Sequence, residues 1–159
     1  MAPEKPQDPP PGFVLSERGS PYTEMIGPLY DLHDLHDLPD LPGDPEHCRG
    51  FRVLEGHLNN AGIIHGGMMM SFADTVLGRA AGSVGSGSAV TVHMTTDFLG
   101  PAHLGDWVEG RAKIMRQTRT LIFVEGEIRT RKRLLMTANG VFRRLSRRRQ
   151  NRRGGAGKG

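Results

Sequence analysis

The stretch GGMMMSFADTVLGRAA, residues 66–81, decides how this chain folds. Its apolar side chains recur at the three- and four-residue spacing of one helical face; they are Met69, Phe72, Ala73, Val76, Leu77 and Ala80. A helix of this length is roughly 24 Å long, enough to cross a small domain. Because Asp74 and Arg79 are its only charged residues, we predict a largely buried central helix.

Downstream of this segment the apolar period changes to two. From residue 88 onward, apolar and polar side chains alternate, which predicts a strand with one apolar face; that face carries Val90, Val92, Met94, Thr96 and Phe98. Three similar segments follow at about 107–115, 121–130 and 134–145. Their short connections favour an antiparallel meander. We therefore predict an α+β fold, with one long helix against a strongly bent antiparallel sheet.

Each of the last three predicted strands has a glycine on its apolar face, at Gly110, Gly126 and Gly140. A glycine inside a strand often marks a bend or the close approach of another backbone. A helix that lies across all three positions explains them together. The alternative is three unrelated bulges.

The chain before the central helix carries fewer signals. Residues 1–20 are rich in proline and polar side chains, which is typical of a flexible lead-in. Ser20 is placed to cap a short helix that Pro21 opens, with Glu24 near its first turn. We therefore predict a short N-terminal helix, followed later by a strand at about 49–57.

Residues 31–47 read DLHDLHDLPDLPGDPEH, which is nearly a three-residue repeat of Leu with Asp and His. Three prolines forbid a long helix through this part, so a loop is expected. The His and Asp side chains raise the alternative of a metal site, but such a site needs converging ligands rather than composition. We favour a solvated loop and expect no metal.

The net charge of +4 is unevenly distributed along the chain. Eight Arg or Lys and no acids lie from residue 143 to the C-terminus, whereas residues 1–142 carry 13 basic and 17 acidic residues. The segment 146–159 lacks aromatic residues and apolar periodicity, which predicts a disordered basic tail. We place a single domain at 21–145 and favour a solvated tail over a nucleic-acid partner.

Composition also indicates where the protein resides. Cys48 is the only cysteine, which excludes an intramolecular disulfide and fits a reducing compartment. The N-terminus has acids and prolines where a secretory signal would need an apolar core, and no uncharged apolar run is long enough for a membrane span. We expect a soluble, cytoplasmic protein.

Asp74 breaks the pattern of its own helix. Burying an unpaired carboxylate is costly, so an acid within an apolar helix is paired, at an edge, or present for function. Ser71 lies three residues before it and Gly78 four after, and both are small. The sequence therefore predicts open space beside the carboxylate, with an acid that merely faces solvent or an interface as the alternative.

The sequence His65-Gly66-Gly67 stands where the central helix begins. A helix N-terminus presents unpaired backbone N–H groups and positive partial charge, and glycine lets a substrate approach that backbone closely. Such an arrangement can stabilise the oxyanion that forms when a thioester carbonyl is attacked. Any tight turn into a helix could use the same three residues, so this signal alone is weak.

The run N-x-x-G-x-x-H-G-G at residues 59–67, with an Asp nine residues after its His, resembles the signature of PaaI-like thioesterases, within the 4-hydroxybenzoyl-CoA thioesterase superfamily. Its elements here are Asn59, Gly62, His65, Gly66, Gly67 and Asp74. The resemblance covers roughly residues 50–145. It implies a hotdog fold, in which an antiparallel β-sheet wraps one long central helix.

The resemblance also implies a reaction and an assembly. The reaction is hydrolysis of acyl-CoA thioesters to free acid and CoA, with no cofactor other than the CoA of the substrate. The assembly is a homodimer whose active sites lie between subunits, with a homotetramer made of two such dimers.

The resemblance further implies a role for each matching residue. Asp74 would be the general base or nucleophile, acting on a substrate held by the other subunit. The Gly66 N–H would bind the thioester oxygen, Asn59 would position the carbonyl or the attacking water, and His65 would help orient the thioester. Thr91 matches a position where relatives often carry a Ser or Thr that holds the water.

The alternation of its strand complicates this role for Thr91. Thr91 points away from the apolar face that contains Val90, Val92 and Met94. If that face packs on the central helix, the hydroxyl group cannot face the interior of its own subunit. We therefore expect Thr91 to reach a site at the subunit boundary.

Substrate contacts are predicted around these groups, at Gly67, Met70, Ser71, Arg116 and Arg119. The two arginines bracket one turn and would bind the CoA phosphates, and a second basic turn at 131–133 is the alternative. We expect an apolar, adaptable acyl pocket with contributions from residues 68–70. Consecutive methionines face several sides of a helix, so at least one of these three is expected in the core.

Two other functions compete with hydrolysis. An acyl-thioester hydratase or dehydratase would share the fold, but it would need a His and an acid that act together on the acyl α and β carbons. The arrangement of Asn59 and Asp74 favours hydrolysis. A non-catalytic acyl-CoA-binding regulatory protein, with its arginine tail on nucleic acid, is the third possibility.

Overall fold

The computed structural model describes residues 9–17, 19–33, 47–84 and 87–145. Its elements in chain order are β1 (Phe13–Leu15), α1 (Pro21–Ile26), β2 (Tyr30–Leu32), β3 (Arg49–Arg52), α2 (Gly66–Gly82), β4 (Ala89–Phe98), β5 (Trp107–Gln117), β6 (Leu121–Arg129) and β7 (Leu134–Arg144). The strands form one antiparallel sheet in the order β1-β2-β3-β5-β6-β7-β4. This confirms the predicted α+β hotdog architecture, with its long helix and short N-terminal helix.

Helix α2 packs its apolar face on the sheet, in contact with β4, β5, β6 and β7. Phe72, Val76 and Leu77 are fully buried there. Burial of each such side chain stabilises the fold by about 1.5–3 kcal/mol relative to exposure. Within the described ranges, no helix is both long and apolar enough to cross a membrane.

The three strand glycines lie beneath α2, as predicted. A Cβ atom at Gly110 would lie 2.6 Å from Val76 Cγ2. At Gly126 it would lie 2.7 Å from Leu77 Cδ1, and at Gly140 2.9 Å from Leu77 Cδ2. Carbon atoms in packed interiors do not approach this closely. The helix therefore rests where three strands lack side chains, and the alternative of unrelated bulges is wrong.

We expect Gly110→Ala to lower the free energy of unfolding by about 1–3 kcal/mol, because the added methyl overpacks the contact with α2. Urea denaturation measures the change. Gly56→Ala is the matched control, since a Cβ there meets nothing within 4 Å, and its effect should stay within about 0.5 kcal/mol. Equal destabilisation by the two substitutions would contradict this packing.

The predicted meander is correct for three strands and wrong for β4. Strands β5, β6 and β7 pair in sequence, but β4 pairs with β7 at the far edge of the sheet. The reason is the length of the connections. Short turns join β5 to β6 and β6 to β7, whereas residues 99–106 between β4 and β5 exceed the two to five residues of a typical hairpin loop.

The short N-terminal helix is confirmed. It begins at Pro21, and Ser20 caps it by accepting a hydrogen bond from the Thr23 N–H at 3.2 Å. The strand predicted at 49–57 is shorter than expected, because β3 ends at Arg52 and a 3-10 turn, Glu55–His57, follows.

Two further segments differ from the sequence predictions. Within the predicted flexible lead-in, Phe13–Leu15 forms strand β1, and at the start of the predicted loop, Tyr30–Leu32 forms strand β2 and pairs with it. Strands of three residues are too short for alternation to reveal, and these are stabilised by a small buried cluster of Phe13, Leu32 and Cys48. Residues 34–46 of the loop and the predicted tail lie outside the described residues.

Candidate active site

The Asp74 carboxylate accepts a hydrogen bond from Thr91 Oγ1 at 2.6 Å. This contact exists because the register of β4 shifts between Thr91 and His93, and one extra residue in a strand reverses its alternation. Met94 then packs against the core, whereas Val92 is 58% exposed. The predicted face assignment is therefore wrong for the first half of β4. Thr91 faces helix α2 of its own chain and contacts Asp74 directly. That this contact lies at a subunit boundary stays a prediction.

Asp74 lies half-buried on the wall of a cavity of about 660 Å³, formed by α2, the start of β4 and residues 47–49. This volume is within the range of small-molecule sites in proteins. Gly78 lines the cavity one turn beyond Asp74, so open space is confirmed on that side. On the other side, the hydroxyl of Ser71 is hydrogen-bonded to that of Tyr22 in α1 at 2.5 Å.

A second reactive feature lies at the beginning of α2. His65 is the N-cap residue, and its Nδ1 accepts a hydrogen bond from the Gly67 N–H at 2.8 Å. The Gly66 N–H has no hydrogen-bond partner among the described residues. A Cβ at Gly66 would lie 3.3 Å from the ring of Phe98. Gly66 thus offers an amide at the positive end of a long helix, which can donate to an anionic oxygen.

Asn59 shapes the loop that leads into α2. Its Oδ1 accepts a hydrogen bond from the Ala61 N–H at 2.9 Å, and its backbone N–H donates to the Ile63 carbonyl at 2.8 Å. Gly62 completes the turn with φ of +72°, a conformation that glycine adopts without a steric penalty. The oxygen of the Asn59 amide is therefore engaged in the loop, and its Nδ2 group is the donor left for a substrate.

Asp74 and Gly66 do not meet within one chain. They are eight residues apart on α2, which places them about 12 Å apart along the helix axis. Base catalysis requires contact at roughly 2.6–3.2 Å, directly or through one water. A carbonyl bound at the Gly66 N–H is therefore out of reach of Asp74 in the same chain.

Two arginines line the same cavity, and neither was predicted as a site residue. Arg49 Nε donates to Asp31 Oδ1 at 2.9 Å, and Arg79 Nη1 lies 3.1 Å from Asp31 Oδ2. Asp31 and Arg49 are buried, whereas the Arg79 side chain is 30% exposed. Burial lowers the pKa of Arg49, the carboxylate of Asp31 raises it, and the nearby Arg79 lowers it further.

The sequence held one signal for this cluster. Arg79 is an isolated cation on a nearly uncharged helix, which is the same anomaly that identified Asp74. Asp31 and Arg49 had no comparable signal, because they come from short strands that only the folded chain brings to α2.

The remaining predicted contacts lie elsewhere. Met68 and Met69 are buried in the core, and Met70 is partly exposed. None of the three lines the cavity beside Asp74, whose lining is both polar and apolar. Arg116 and Arg119 are exposed at the end of β5 and in the turn after it, and they do not line that cavity either. Within one chain, the predicted methionines and arginines therefore do not adjoin Asp74, and the apolar acyl pocket stays a prediction.

Cys48 does not provide a reactive nucleophile. Its side chain is buried, and burial raises the pKa of the thiol to about 12. A thiol with such a pKa carries almost no thiolate near neutral pH. In the part of the chain that the structure describes, no three His, Cys, Asp or Glu side chains are grouped to hold a metal ion.

Comparison with known proteins places the chain in a family. Residues 61–137 match the model of the thioesterase superfamily. A protein of Pseudomonas aeruginosa, PA0474, named as a candidate esterase, is 30% identical over 135 residues, which cover 84% of this chain and 95% of that protein. The chain belongs to the thioesterase superfamily. Within that superfamily it is a PaaI-like protein with the hotdog fold, as its sequence signature predicted.

Other members of the superfamily show the same relationship. Acyl-coenzyme A thioesterase 13 of Mus musculus is 30% identical over 78 residues, which cover 48% of this chain and 56% of that protein. The PaaI protein of E. coli is 28% identical to this chain and superposes on it with a TM-score of 0.60. The match covers 62% of this chain and 72% of the PaaI chain. A PaaI variant from Thermus thermophilus is 26% identical and superposes with a TM-score of 0.65, and the match covers 79% of this chain and 100% of the variant.

Proposed function

We propose that this chain hydrolyses acyl-CoA thioesters to a free acid and CoA, in a site that two copies of the chain build together. Asp74 of one copy acts on a thioester carbonyl that the Gly66 N–H of the other copy binds. The observation that carries this proposal is the separation of the two groups on α2, about 12 Å. Each group is built for its task, but one copy alone cannot bring them together.

The proposed chemistry uses the hydrogen bond between Thr91 and Asp74. Thr91 donates to Oδ1, which leaves Oδ2 to accept a proton from an attacking water or to attack the carbonyl carbon itself. Negative charge then develops on the thioester oxygen, where the Gly66 N–H and the positive end of α2 stabilise it. Collapse of the tetrahedral intermediate breaks the C–S bond. The departing thiolate takes the proton that Asp74 accepted from water, or a solvent proton when Asp74 is the nucleophile, and CoA leaves as a thiol. With Asp74 as nucleophile, water hydrolyses an acyl-enzyme anhydride in a second step.

The edge of the sheet supports a dimer. Strand β4 is an edge strand, and its exposed apolar residues are Val90, Val92 and Phe98. Pairing of β4 with its own copy about a twofold axis would satisfy this edge and cover these side chains. Phe98 also approaches Gly66, so the same edge lies beside the beginning of α2.

The substrate class and the wider assembly belong to the same proposal. A relative named acyl-coenzyme A thioesterase 13 supports CoA thioesters as substrates. Arg116 and Arg119 are exposed and positively charged, which suits them to the phosphates of CoA. A tetramer of two dimers and a cytoplasmic location complete the proposal.

Release of free thiol from a panel of aliphatic and aryl acyl-CoAs tests the proposed reaction. We expect continuous thiol release that is proportional to protein concentration and absent without protein. Loss of enoyl-CoA absorbance without thiol release would instead indicate a hydratase, and binding without either change would indicate a regulatory protein. Absence of thiol release across the whole panel would overturn the proposal.

A further inference from the structure

The cavity beside Asp74 continues along helix α2, away from Gly66. Asp74, Gly78 and Gly82 are spaced four residues apart, so they lie on one stripe of the helix, and all three line the cavity. The two glycines leave the helix backbone without side chains along this stripe. A chain-like group attached to a carbonyl at Asp74 can therefore lie in the cavity along α2.

The lining of this cavity is cationic beyond Asp74. Arg49 and Arg79 both line it and share the single carboxylate of Asp31, which leaves one net positive charge. Asp31 and Arg49 are more than nine-tenths buried, whereas the Arg79 side chain is 30% exposed, so the charge at Arg79 is accessible from the cavity and partly screened by water. The buried His47 also lines the cavity.

Apolar side chains form part of the lining, beside the charged groups. They are Ala89, Val90 and Phe142. A purely hydrocarbon acyl group would contact these side chains, but it would offer no partner to the positive charge that Asp31 leaves unbalanced. An anionic group would instead receive charge-assisted hydrogen bonds from a planar, fixed donor.

The position of the arginines decides which part of an acyl-CoA they can meet. Arg79 is five residues beyond Asp74, about 7.5 Å along the helix axis. In CoA, about thirteen bonds separate the sulfur from the first phosphorus, roughly 15 Å at extended-chain spacing. With the thioester at Asp74, the far end of a short acyl group reaches the arginines, whereas the CoA phosphates of an extended arm do not.

We propose that the preferred substrates are CoA thioesters whose acyl group ends in a carboxylate. The acyl chain has about four to six carbons, counted from the thioester carbonyl carbon to the carboxylate carbon inclusive. This inference rests on the proposed hydrolysis and names its substrate class. Arg79 is the residue that contacts the distal carboxylate. Arg49 and Asp31 position its guanidinium group.

Matched pairs of substrates test the inference. Glutaryl-CoA is compared with pentanoyl-CoA, and adipyl-CoA with hexanoyl-CoA, after subtraction of spontaneous hydrolysis. We expect kcat/KM to be at least tenfold higher for the dicarboxylic member of each pair. Arg79→Gln should lower that ratio about tenfold, because it should raise KM for the dicarboxylic substrate much more than KM for hexanoyl-CoA. Arg79→Lys should restore part of the ratio.

A charge-matched control is Lys113→Gln. Lys113 is 61% exposed, does not line the cavity, and lies beside Glu125 on the sheet. This variant should keep the full dicarboxylic preference. Thermal unfolding of all variants shows whether they fold. If Arg79→Gln fails to fold, inhibition of the native protein by free adipate but not by hexanoate provides the same comparison.

The outcomes separate this inference from the proposed reaction. Hydrolysis of both members of each pair with equal kcat/KM would overturn the dicarboxylic preference and leave the proposed reaction standing. Calorimetric binding to Asp74→Asn provides a readout without turnover. Tighter binding of adipyl-CoA than of hexanoyl-CoA would support the anion subsite even if no substrate were hydrolysed, and equal binding there would overturn it.

Discussion

Replacing Asp74 by asparagine should lower kcat for acyl-CoA hydrolysis about a thousandfold, which corresponds to about 4 kcal/mol of transition-state stabilisation. Asn has the shape of Asp, and its Oδ1 can still accept the hydrogen bond that Thr91 donates to Asp74. The geometry is therefore retained, whereas the group that takes a proton or attacks the carbonyl is lost. Initial rates of thiol release at saturating substrate give kcat, and the midpoint of thermal unfolding shows that the variant folds.

The matched control for this substitution is Glu125→Gln. Glu125 is an exposed acid on the sheet, outside the cavity that contains Asp74. Its replacement removes the same charge by the same chemical change and should leave kcat unaltered. A fully active Asp74→Asn protein would exclude Asp74 as base or nucleophile.

Gly66→Pro should lower kcat/KM by about 10²–10³-fold, the usual cost of removing one oxyanion donor. Proline at the first position of a helix removes only an N–H that has no partner within the helix. His65 already has φ of −67° and ψ of 135°, the conformation preferred before proline. The substitution therefore deletes the proposed donor while the helix is retained. Steady-state kinetics and circular dichroism measure the two effects.

Gly66→Ala is the control, because it adds a Cβ but keeps the N–H. That Cβ would lie 3.3 Å from the Phe98 ring, and a displacement of the ring by a few tenths of an ångström would restore ordinary contact, so the loss of kcat/KM should be only a few-fold. Mixing equal amounts of the Gly66→Pro and Asp74→Asn chains should recover about a quarter of the native activity. If the chains pair at random, half of the dimers contain one chain of each variant, and each of these dimers has one of its two sites intact. No recovery after subunit exchange would contradict a site shared by two copies.

The central helix and the strands that contact it could be predicted from periodicity. The apolar spacing in α2 and the alternation in β5, β6 and β7 are repeated over nine or more residues in each element, so a local pattern is sufficient. The glycines at 110, 126 and 140 also predicted where the helix lies on the sheet, because a side chain of α2 occupies the space that a Cβ at each position would need.

The errors arise where tertiary structure overrides the local pattern. The bulge in β4 inserts one residue at Val92 and turns Thr91 toward α2. The alternation of apolar and polar residues in the sequence does not indicate this bulge. Strand pairing is also non-local. Periodicity alone therefore could not place β4 beside β7 or reveal the short strands β1 and β2.

The candidate site was predictable to different degrees. Asp74 is an acid in an apolar helix and Gly66 is a glycine at its first position, so both are visible as local anomalies. Their separation on one chain follows from helix geometry. The cluster of Arg49 with Asp31 and Arg79 joins three distant parts of the chain. Only the folded structure could reveal it.

The exposed edge of β4 has a consequence for the behaviour of the protein in solution. A long edge strand with unpaired backbone groups and apolar side chains can add strands from any nearby chain, which leads to aggregation. At the opposite edge, β1 has only three residues and offers little to such growth. In the proposed dimer, β4 would pair with the β4 strand of the other copy, so its backbone groups would no longer be available to other chains. Solubility and catalysis would then depend on the same contact, and substitutions that weaken it would reduce the yield of soluble protein as well as its activity.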